Sequence, residues 1–281
     1  MKKIALQGIE GSFHAIAAQM YFENEKTEIV PCKTFRDVFS VMKNDGANVA
    51  IVAIENTIAG SLLQNYELLR KSDLKIFGEY KLRVSHTLSA LPGQRLEDIT
   101  EVVSHPIAIM QCRNFLETLP NVKIIEGEDT ATSARDIHEK QLSGVAAICS
   151  KHAADFYQLN VLESGVETNK HNFTRFLLMA DPWHVDELID KSSINKSSLV
   201  FSLPHNEGSL SQVLSVLSFY SMNLTKIQSL PIVGREWEYL FYVDLTFADY
   251  TRYRQSIDAV MPLIKDLKIL GEYAVGKQSC E

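Results

Sequence analysis

One local pattern recurs four times in this chain and constrains its fold more than any other feature. A short apolar stretch is followed by a small polar residue and then by an amphipathic helical pattern. The polar residues that would cap the helices are Ser12, Ser104, Asp129 or Thr130, and Ser150. Because strands alternate with helices here, the pattern predicts an α/β fold whose helix N-termini gather at strand ends.

The apolar run Val49–Ile54 is the clearest of the predicted strands, and its continuous hydrophobicity is typical of a buried parallel strand. It leads into Glu55-Asn56-Thr57, which precedes a helix predicted over about 62–70. Polar side chains at the carboxyl end of such a strand lie where open α/β sheets bind ligands. The same residues are also common turn formers, so this segment alone leaves both interpretations open.

A second polar segment, Asn172-Phe173-Thr174-Arg175-Phe176, opens a strand that continues into an apolar run at 177–180. Alternate residues of a strand face the same side, so Asn172 and Thr174 share one face and Arg175 lies on the other. An amide, a hydroxyl and an arginine close together can bind and polarise an anionic substrate. The alternative is an ordinary strand threonine beside a surface arginine.

The pattern changes in the last third of the chain. Residues 183–197 are polar and rich in serine, which predicts a linker. Residues 198–281 follow the order strand, helix, strand, strand, helix, strand. This order is that of the ferredoxin-like split βαβ unit. The chain of 281 residues is therefore predicted to contain two domains.

Composition narrows the classes of function. A net charge of −7 argues against nucleic acid as a partner. No apolar stretch approaches the roughly 20 residues that a membrane-spanning helix needs. The apolar stretch between the N-terminal lysines and Gly8 is too short for the apolar region of a signal peptide, so we expect a cytoplasmic protein. The cysteines Cys32, Cys112, Cys149 and Cys280 have no close spacing, which argues against both a zinc site and a disulfide framework.

Several of these segments resemble motifs of the prephenate dehydratases that carry a C-terminal ACT regulatory domain. They occur in family order: Gly8-Ile9-Glu10-Gly11-Ser12-Phe13, Ile54-Glu55-Asn56-Thr57, Ser104-His105-Pro106 with Gln111-Cys112, Asp129-Thr130-Ala131, Asn172–Phe176, Gly208-Ser209-Leu210, and Asn223-Leu224-Thr225-Lys226-Ile227. The resemblance covers nearly the whole chain. It implies a two-lobed, periplasmic-binding-protein-like catalytic domain over 1–182 and a ferredoxin-like ACT domain over 198–281. Lobe 1 would comprise about 1–82 plus 171–182, and lobe 2 about 83–170.

The implied activity is decarboxylative dehydration of prephenate to phenylpyruvate in L-phenylalanine biosynthesis, with neither cofactor nor metal. Carried over residue by residue, Thr174 is the catalytic hydroxyl, and the sequence leaves open whether Thr174 or Glu55 supplies the proton. The candidate substrate-binding residues are Asn56, Thr57, Ser104, Gln111, Arg175, Ser12 and Thr130. For Arg175 a structural ion pair beneath the site is an equal alternative.

The resemblance also implies feedback by L-phenylalanine at the ACT domain and a homodimer or homotetramer formed through it. The implied allosteric residues are Gly208, Leu210, Asn223, Leu224 and Ser229. The regulatory motif that often reads Glu-Ser-Arg-Pro is Gln228-Ser229-Leu230-Pro231 here, which would weaken or retune that response. Two further departures are Ala53, where a proline is usual, and His14, where many members carry a small hydroxyl residue.

Two alternatives remain. An arogenate dehydratase would perform the same chemistry on an amine-bearing substrate. A non-catalytic amino-acid sensor would join a binding cleft to an ACT module, but it would not need Thr174, Asn56 and Gln111 together.

Overall fold

The computed structural model describes residues 1–23 and 25–279, which fold into two compact units. Unit 1 comprises Met1–Ser61, Tyr80–Phe176 and the C-terminal residues from Gln278. Unit 2 comprises Leu62–Glu79 and Leu177–Lys277. This division by contacts differs from the limits predicted for the lobes and domains, and those limits stay a prediction.

Strands and helices alternate along most of the chain. The strands are β1 (Lys2–Gln7), β2 (Thr27–Cys32), β3 (Val49–Asn56), β4 (Gly60–Ser61), β5 (Lys75–Arg83), β6 (Thr87–Ala90), β7 (Glu101–Ser104), β8 (Lys123–Glu126), β9 (Val145–Cys149), β10 (Asn160–Ser164), β11 (Phe173–Ala180), β12 (Lys196–Ser202), β13 (Asn223–Pro231), β14 (Tyr239–Thr246) and β15 (Lys265–Tyr273). The helices are α1 (Phe13–Tyr21), α2 (Phe35–Lys43), α3 (Leu63–Lys71), α4 (Pro106–Gln111), α5 (Arg113–Leu116), α6 (Thr130–Lys140), α7 (Lys151–Phe156), α8 (Pro182–Leu188), α9 (Ser209–Phe219) and α10 (Tyr250–Val260).

The first sheet of unit 1 is parallel around β1. Ile4 of β1 lies opposite Ile29 of β2 on one side and opposite Val49 of β3 on the other. The residues of β3 from Val49 to Ile54 are all buried, as its apolar sequence predicted. β11 lies on the other side of β3. This pairing brings the polar ends of β3 and β11 to the same edge.

The second sheet of unit 1 is mixed, with the order β10-β6-β9-β7-β8. β7 runs parallel to β8 and β9, whereas β6 is antiparallel to β9 and β10. The predicted alternation of strand, cap and helix is present, with Asp129 capping α6 and Ser150 capping α7. The apolar alternation over residues 74–91 predicts one long strand, but the structure has two, β5 and β6, because residues 84–86 lie outside the ladders.

Unit 2 contains an antiparallel sheet in the order β13-β14-β12-β15. α9 and α10 pack on it, and Val213, Leu217, Tyr253 and Ile257 are among the buried side chains of this core. The element order over 196–273 is that predicted, and the pairing is that of a split βαβ unit.

A buried ion pair joins β12 to β5 within unit 2. The Nζ of Lys196 lies 2.9 and 2.8 Å from the two carboxylate oxygens of Glu79, and both side chains are less than 5% exposed. The backbone N–H of Gly276 also donates to Glu79. A Cβ at Gly276 would come within 2.0 Å of the Glu79 carbonyl oxygen, so only glycine fits there.

The stretch 183–197, which its composition predicts to be a linker, contains regular secondary structure. α8 covers Pro182–Leu188, a 3-10 turn covers Lys191–Ser193, and β12 already begins at Lys196. Pro182 at the first helical position favours a helix start there. None of the residues of α8 is buried, so its composition cannot be distinguished from that of a linker.

Of the cysteines, Cys32, Cys112 and Cys149 are buried free thiols, and Cys280 lies outside the described residues. Burial raises the pKa of Cys112 to about 12 and that of Cys149 to about 11, so both are protonated at neutral pH. Within residues 1–23 and 25–279, no helix has the length and apolarity to cross a membrane. Over the same ranges, no three His, Cys, Asp or Glu side chains are grouped to hold a metal ion.

Candidate active site

Asn56, the last residue of β3, organises the polar edge of unit 1. Its side-chain oxygen Oδ1 accepts hydrogen bonds from the backbone N–H groups of Ile58 (2.9 Å) and Ala59 (2.8 Å), and these bonds form the turn after β3. Its amide nitrogen donates to Oδ1 of Asn172 (2.7 Å) and to Oγ1 of Thr174 (2.9 Å). Because the turn fixes the carbonyl end, the amide end is aimed at β11.

The contact with Asn56 determines what the Thr174 hydroxyl can do. Oγ1 accepts from the amide, and so the hydroxyl proton is directed toward another acceptor. Thr174 is half-buried, whereas Asn56 and Asn172 are buried. The structure therefore brings the predicted residues Asn56 and Thr174 into direct contact.

Thr57 holds the two strand ends together. Its backbone N–H donates to the carbonyl oxygen of Phe173 (2.9 Å), and its hydroxyl donates to that of His171 (3.1 Å). The same hydroxyl accepts from the N–H of Phe173 (2.9 Å). Its contacts are those of a support for β11.

Arg175 is buried and lies 3.8 Å from the carboxylate of Glu55, measured from Nη1 to Oε2. This contact is the ion pair that the sequence offered as the alternative role of Arg175. Glu55 is half-exposed, and in this arrangement its carboxylate lies against the guanidinium. Both residues flank the Asn56–Thr174 pair in sequence, so a ligand that reaches Arg175 would compete with Glu55 for it.

Of the caps predicted at the starts of α1, α4 and α6, Ser12 and Asp129 are present and Ser104 is not. Ser12 caps α1 by accepting from the N–H of Ala15 at 3.2 Å. Ser104 does not cap α4: its hydroxyl donates to the carbonyl oxygen of Ile148 (2.7 Å) in the neighbouring strand, and His105 caps the helix instead. Thr130 is the first residue of α6, and the carboxylate of Asp129 already occupies that helix start. Substrate contacts of Ser12, Ser104 and Thr130 stay predictions.

Gln111 belongs to a second polar cluster, which the sequence did not reveal. Its Oε1 lies 3.1 Å from Nε2 of His86, which is 1% exposed. The carboxylate of Glu167 is also buried and accepts from the backbone N–H of His86 at 2.9 Å. Burial lowers the pKa of His86, so its imidazole is neutral and donates to Gln111.

The two clusters are linked through the backbone, since the N–H of Val84 donates to the carbonyl oxygen of Asn172 at 2.7 Å. The predicted approach of Gln111 to Thr174 itself stays a prediction. His86 carried no local signal because it lies between β5 and β6, with the polar residues Ser85 and Thr87 on either side. Glu167 was part of a segment with turn composition, where an acidic residue is common.

The fold and the side chains define the class: an α/β protein with neutral hydrogen-bond donors at the ends of adjacent strands and an arginine beside them. The family model for prephenate dehydratase matches residues 4–183. The chain therefore belongs to the prephenate dehydratase family, whose activity is that of a lyase.

Relatives agree with this placement. The chain is 34% identical to arogenate dehydratase/prephenate dehydratase 2 of Arabidopsis thaliana, over 97% of this chain and 73% of the relative. It is also 34% identical to the bifunctional chorismate mutase/prephenate dehydratase of Aquifex aeolicus, over 96% of this chain and 73% of the relative.

Solved structures are similar over nearly the full length. Prephenate dehydratase from Arthrobacter aurescens in complex with L-Phe has a TM-score of 0.84 and 26% identity, with 97% of this chain and 90% of that chain covered. GqqA, described as a quorum-quenching acylase, has a TM-score of 0.86 and 26% identity, with 98% of each chain covered.

Proposed function

We propose that this chain converts prephenate into phenylpyruvate, water and carbon dioxide. The observation that carries the proposal is the hydrogen bond from Asn56 to Thr174, which leaves the threonine proton available to a leaving oxygen. Family membership supports the reaction class. Phenylpyruvate is the keto acid of phenylalanine, so the step belongs to L-phenylalanine biosynthesis.

For this reaction the protein needs mainly to position the substrate and to stabilise the charge that develops on the departing oxygen. The bond between the ring and its carboxylate breaks and releases carbon dioxide, and its electron pair enters the ring. The ring hydroxyl leaves from the opposite carbon and takes up a proton, from Thr174 or Glu55, to become water. Because the ring becomes aromatic, no electron-sink cofactor is needed. Thr174 donates to the departing oxygen, and a donor of this kind contributes about 2.7–4 kcal/mol, or roughly 10²–10³ in rate.

The remaining residues hold the two carboxylates of the substrate. The start of α1 at Ser12 presents backbone N–H groups, which favour an anion. Arg175 would exchange its ion pair with Glu55 for one with a substrate carboxylate. Glu55, released from the guanidinium, would then be the alternative proton source. In this proposal Thr57, Ser104, Gln111 and Thr130 complete the site.

The finer architecture is also part of the proposal. Unit 1 would contain the two lobes of a periplasmic-binding-protein-like cleft, and the βαββαβ segment would be an ACT domain. L-Phenylalanine would bind there through Gly208, Leu210, Asn223, Leu224 and Ser229, and copies of the chain would pair through the same domain. The bound L-Phe named for the Arthrobacter aurescens structure supports this effector. A cytoplasmic location fits a biosynthetic enzyme of this kind.

Two substitutions at Thr174 test the mechanism. Thr174→Ala removes the donor and is expected to lower kcat by about 10²–10³ with a much smaller change in KM. Thr174→Ser keeps a hydroxyl and is expected to retain much of the activity. The measurement is the formation of phenylpyruvate, followed by its ultraviolet absorbance. Equal and near-wild-type turnover in both variants would remove Thr174 from the mechanism.

Arogenate is the second candidate substrate, because the Arabidopsis thaliana relative carries both names. The ratio of kcat/KM on prephenate and arogenate decides between them, and we expect prephenate to be preferred. An acylase, by contrast, needs a nucleophile activated by an adjacent base. The amide that contacts Thr174 donates to its oxygen and cannot take up its proton.

A further inference from the structure

His14 lies in the first turn of α1 and contacts the strand that carries Glu55 and Asn56. Its Nε2 accepts a hydrogen bond from the backbone N–H of Ala53 at 3.3 Å. Because Nε2 is the acceptor, the proton of the neutral ring is on Nδ1. The side chain is buried, and Ala53 precedes Asn56 by three residues on β3.

The same imidazole contacts β11. The rings of His14 and Phe176 meet edge to face with centroids 5.0 Å apart. Phe176 follows Thr174 by two residues and therefore points to the same side of that strand. A third ring, Phe35 of α2, lies 5.5 Å from His14 and closes the pocket around it.

We infer that His14 is a positioning residue for the reaction: it joins β3 to β11 so that Asn56 stays within hydrogen-bond distance of Thr174. The inference rests on the proposed function for its catalytic consequence, but not for the contacts themselves. The polar contact at Ala53 on β3 and the aromatic contact at Phe176 on β11 limit sliding of these two strands against each other. The Asn56–Thr174 hydrogen bond joins the same two strands. His14 does not touch the reacting atoms in this scheme.

The electrostatic environment supports this role. Burial lowers the pKa of His14 to about 3, so the ring is neutral at neutral pH. A protonated ring would place an N–H against the N–H of Ala53 and would lose the contact. A permanently neutral acceptor is therefore what the contact with Ala53 requires.

The contact also relates two unusual features of the sequence. Position 53 is alanine and position 14 is histidine, two of the departures from the motifs that this sequence otherwise resembles, where the resemblance implies proline and a small hydroxyl residue. Proline has no N–H to donate. Histidine at 14 therefore has a hydrogen-bond partner on β3 only because residue 53 is not proline, and we infer that the two residues act as a pair.

The first test keeps an aromatic ring at position 14 but removes its hydrogen-bond acceptor. His14→Phe keeps an aromatic ring against Phe35 and Phe176 but removes the hydrogen bond that Nε2 of His14 accepts from Ala53. We expect kcat to fall by about ten-fold or more with KM changed less than about two-fold. His14→Gln, which offers an amide oxygen instead, is expected to recover most of that loss. His184→Phe makes the same change at an exposed site and is expected to leave kcat unchanged.

The second test asks whether the two positions are coupled. Ala53→Pro is expected to lower kcat in the wild-type background, because it leaves the acceptor of His14 buried without a donor. In the His14→Phe background the contact with residue 14 is already absent, so the same change is expected to cost at least three-fold less. An equal fold-loss in both backgrounds, or wild-type kcat in folded His14→Phe, would overturn the inference.

Nuclear magnetic resonance keeps the inference testable without catalysis. The ring nitrogen shifts of His14 should report a proton on Nδ1, and the side-chain amide signals of Asn56 should move in His14→Phe. A proton on Nε2, or unchanged Asn56 signals, would overturn it. If the wild-type protein fails to convert prephenate while these signals behave as expected, the proposed function fails and the strand-positioning role of His14 stands.

Discussion

Asn56 shows why an amide, rather than an acid, stands at the centre of the candidate site. Its oxygen accepts from two backbone N–H groups, and its nitrogen donates to Thr174 and Asn172. An aspartate could fill the first role but not the second, because a carboxylate only accepts. It would also add a negative charge beside a substrate that carries two. The neutral amide therefore orients the hydroxyl without repelling the ligand.

His14 gives a prediction about stability at the scale of one residue. Its pKa is about 3 in the folded state and about 6.5 in the unfolded state, so the unfolded chain binds more protons between these values. Its contribution is complete above pH 6.5 and is lost as the pH falls toward 3. The free energy of unfolding should therefore decrease by about 1.4 kcal/mol per pH unit in this window.

Urea titrations of wild-type protein and His14→Phe at several pH values between 7 and 4 measure this effect. The other titrating groups, including the buried His86, are common to both proteins, so the difference between the curves isolates His14. We expect the two curves to converge as the pH falls. Parallel curves would contradict the prediction.

Elements were predicted well where the signal is local. Ser12 and Ser150 cap their helices as the sequence indicated, because the cap and the N–H that it binds lie three residues apart. The prediction of Ser104 as a cap was wrong because its hydroxyl donates to the carbonyl oxygen of Ile148, 44 residues further along the chain. The meeting of Asn56 with Thr174 could be predicted, since both stand at strand ends of one sheet. His86, Glu167 and the contact of His14 with Ala53 depend on burial and on tertiary packing, which no local pattern reports.

The buried ion pair between Lys196 of β12 and Glu79 of β5 gives a prediction at the scale of elements. Lys196→Met removes one partner and leaves a carboxylate buried without its cation. We expect the free energy of unfolding to fall by roughly 3–5 kcal/mol. The double variant Lys196→Met/Glu79→Leu removes both charges and should lose much less. Denaturant titrations of the three proteins measure the difference, and equal losses in the single and double variants would refute it.

The make-up of the two units could not be predicted by dividing the chain into consecutive segments. Composition divides the sequence into consecutive segments, whereas each unit is assembled from separate stretches, and β5 and β11 both run across a unit limit. Unit 2, for example, gains the parallel contact of Ile76 with Gly271, nearly 200 residues apart. A Cβ at Gly271 would come within 2.2 Å of the Ile76 carbonyl oxygen. Such a close approach is a property of the folded chain and leaves no local signal beyond a glycine.

Regulation is the prediction that concerns the whole molecule, because an effector bound by unit 2 would act on a reaction in unit 1. The proposed effector residues Asn223, Leu224 and Ser229 lie on β13, the outer strand of its sheet. The same strand carries Gln228 and Leu230, where the resemblance implies an acid and an arginine. A carboxylate at 228 would offer the ammonium group of phenylalanine a charge-assisted hydrogen bond, which is roughly twice as strong as a neutral one. Gln228→Glu should therefore lower the Kd for L-phenylalanine, measured by calorimetry, by roughly five- to ten-fold.

The matched control is Gln255→Glu, which makes the same change of charge on the exposed face of α10 and should leave the Kd unchanged. Leu230→Arg combined with Gln228→Glu restores both charges and should also lower the phenylalanine concentration needed to inhibit turnover of prephenate. Tighter binding without stronger inhibition would place the effector in unit 2 but uncouple it from catalysis. An unchanged Kd in both Gln228 variants would show that phenylalanine does not bind at this strand, and the regulatory role assigned to β13 would then be wrong.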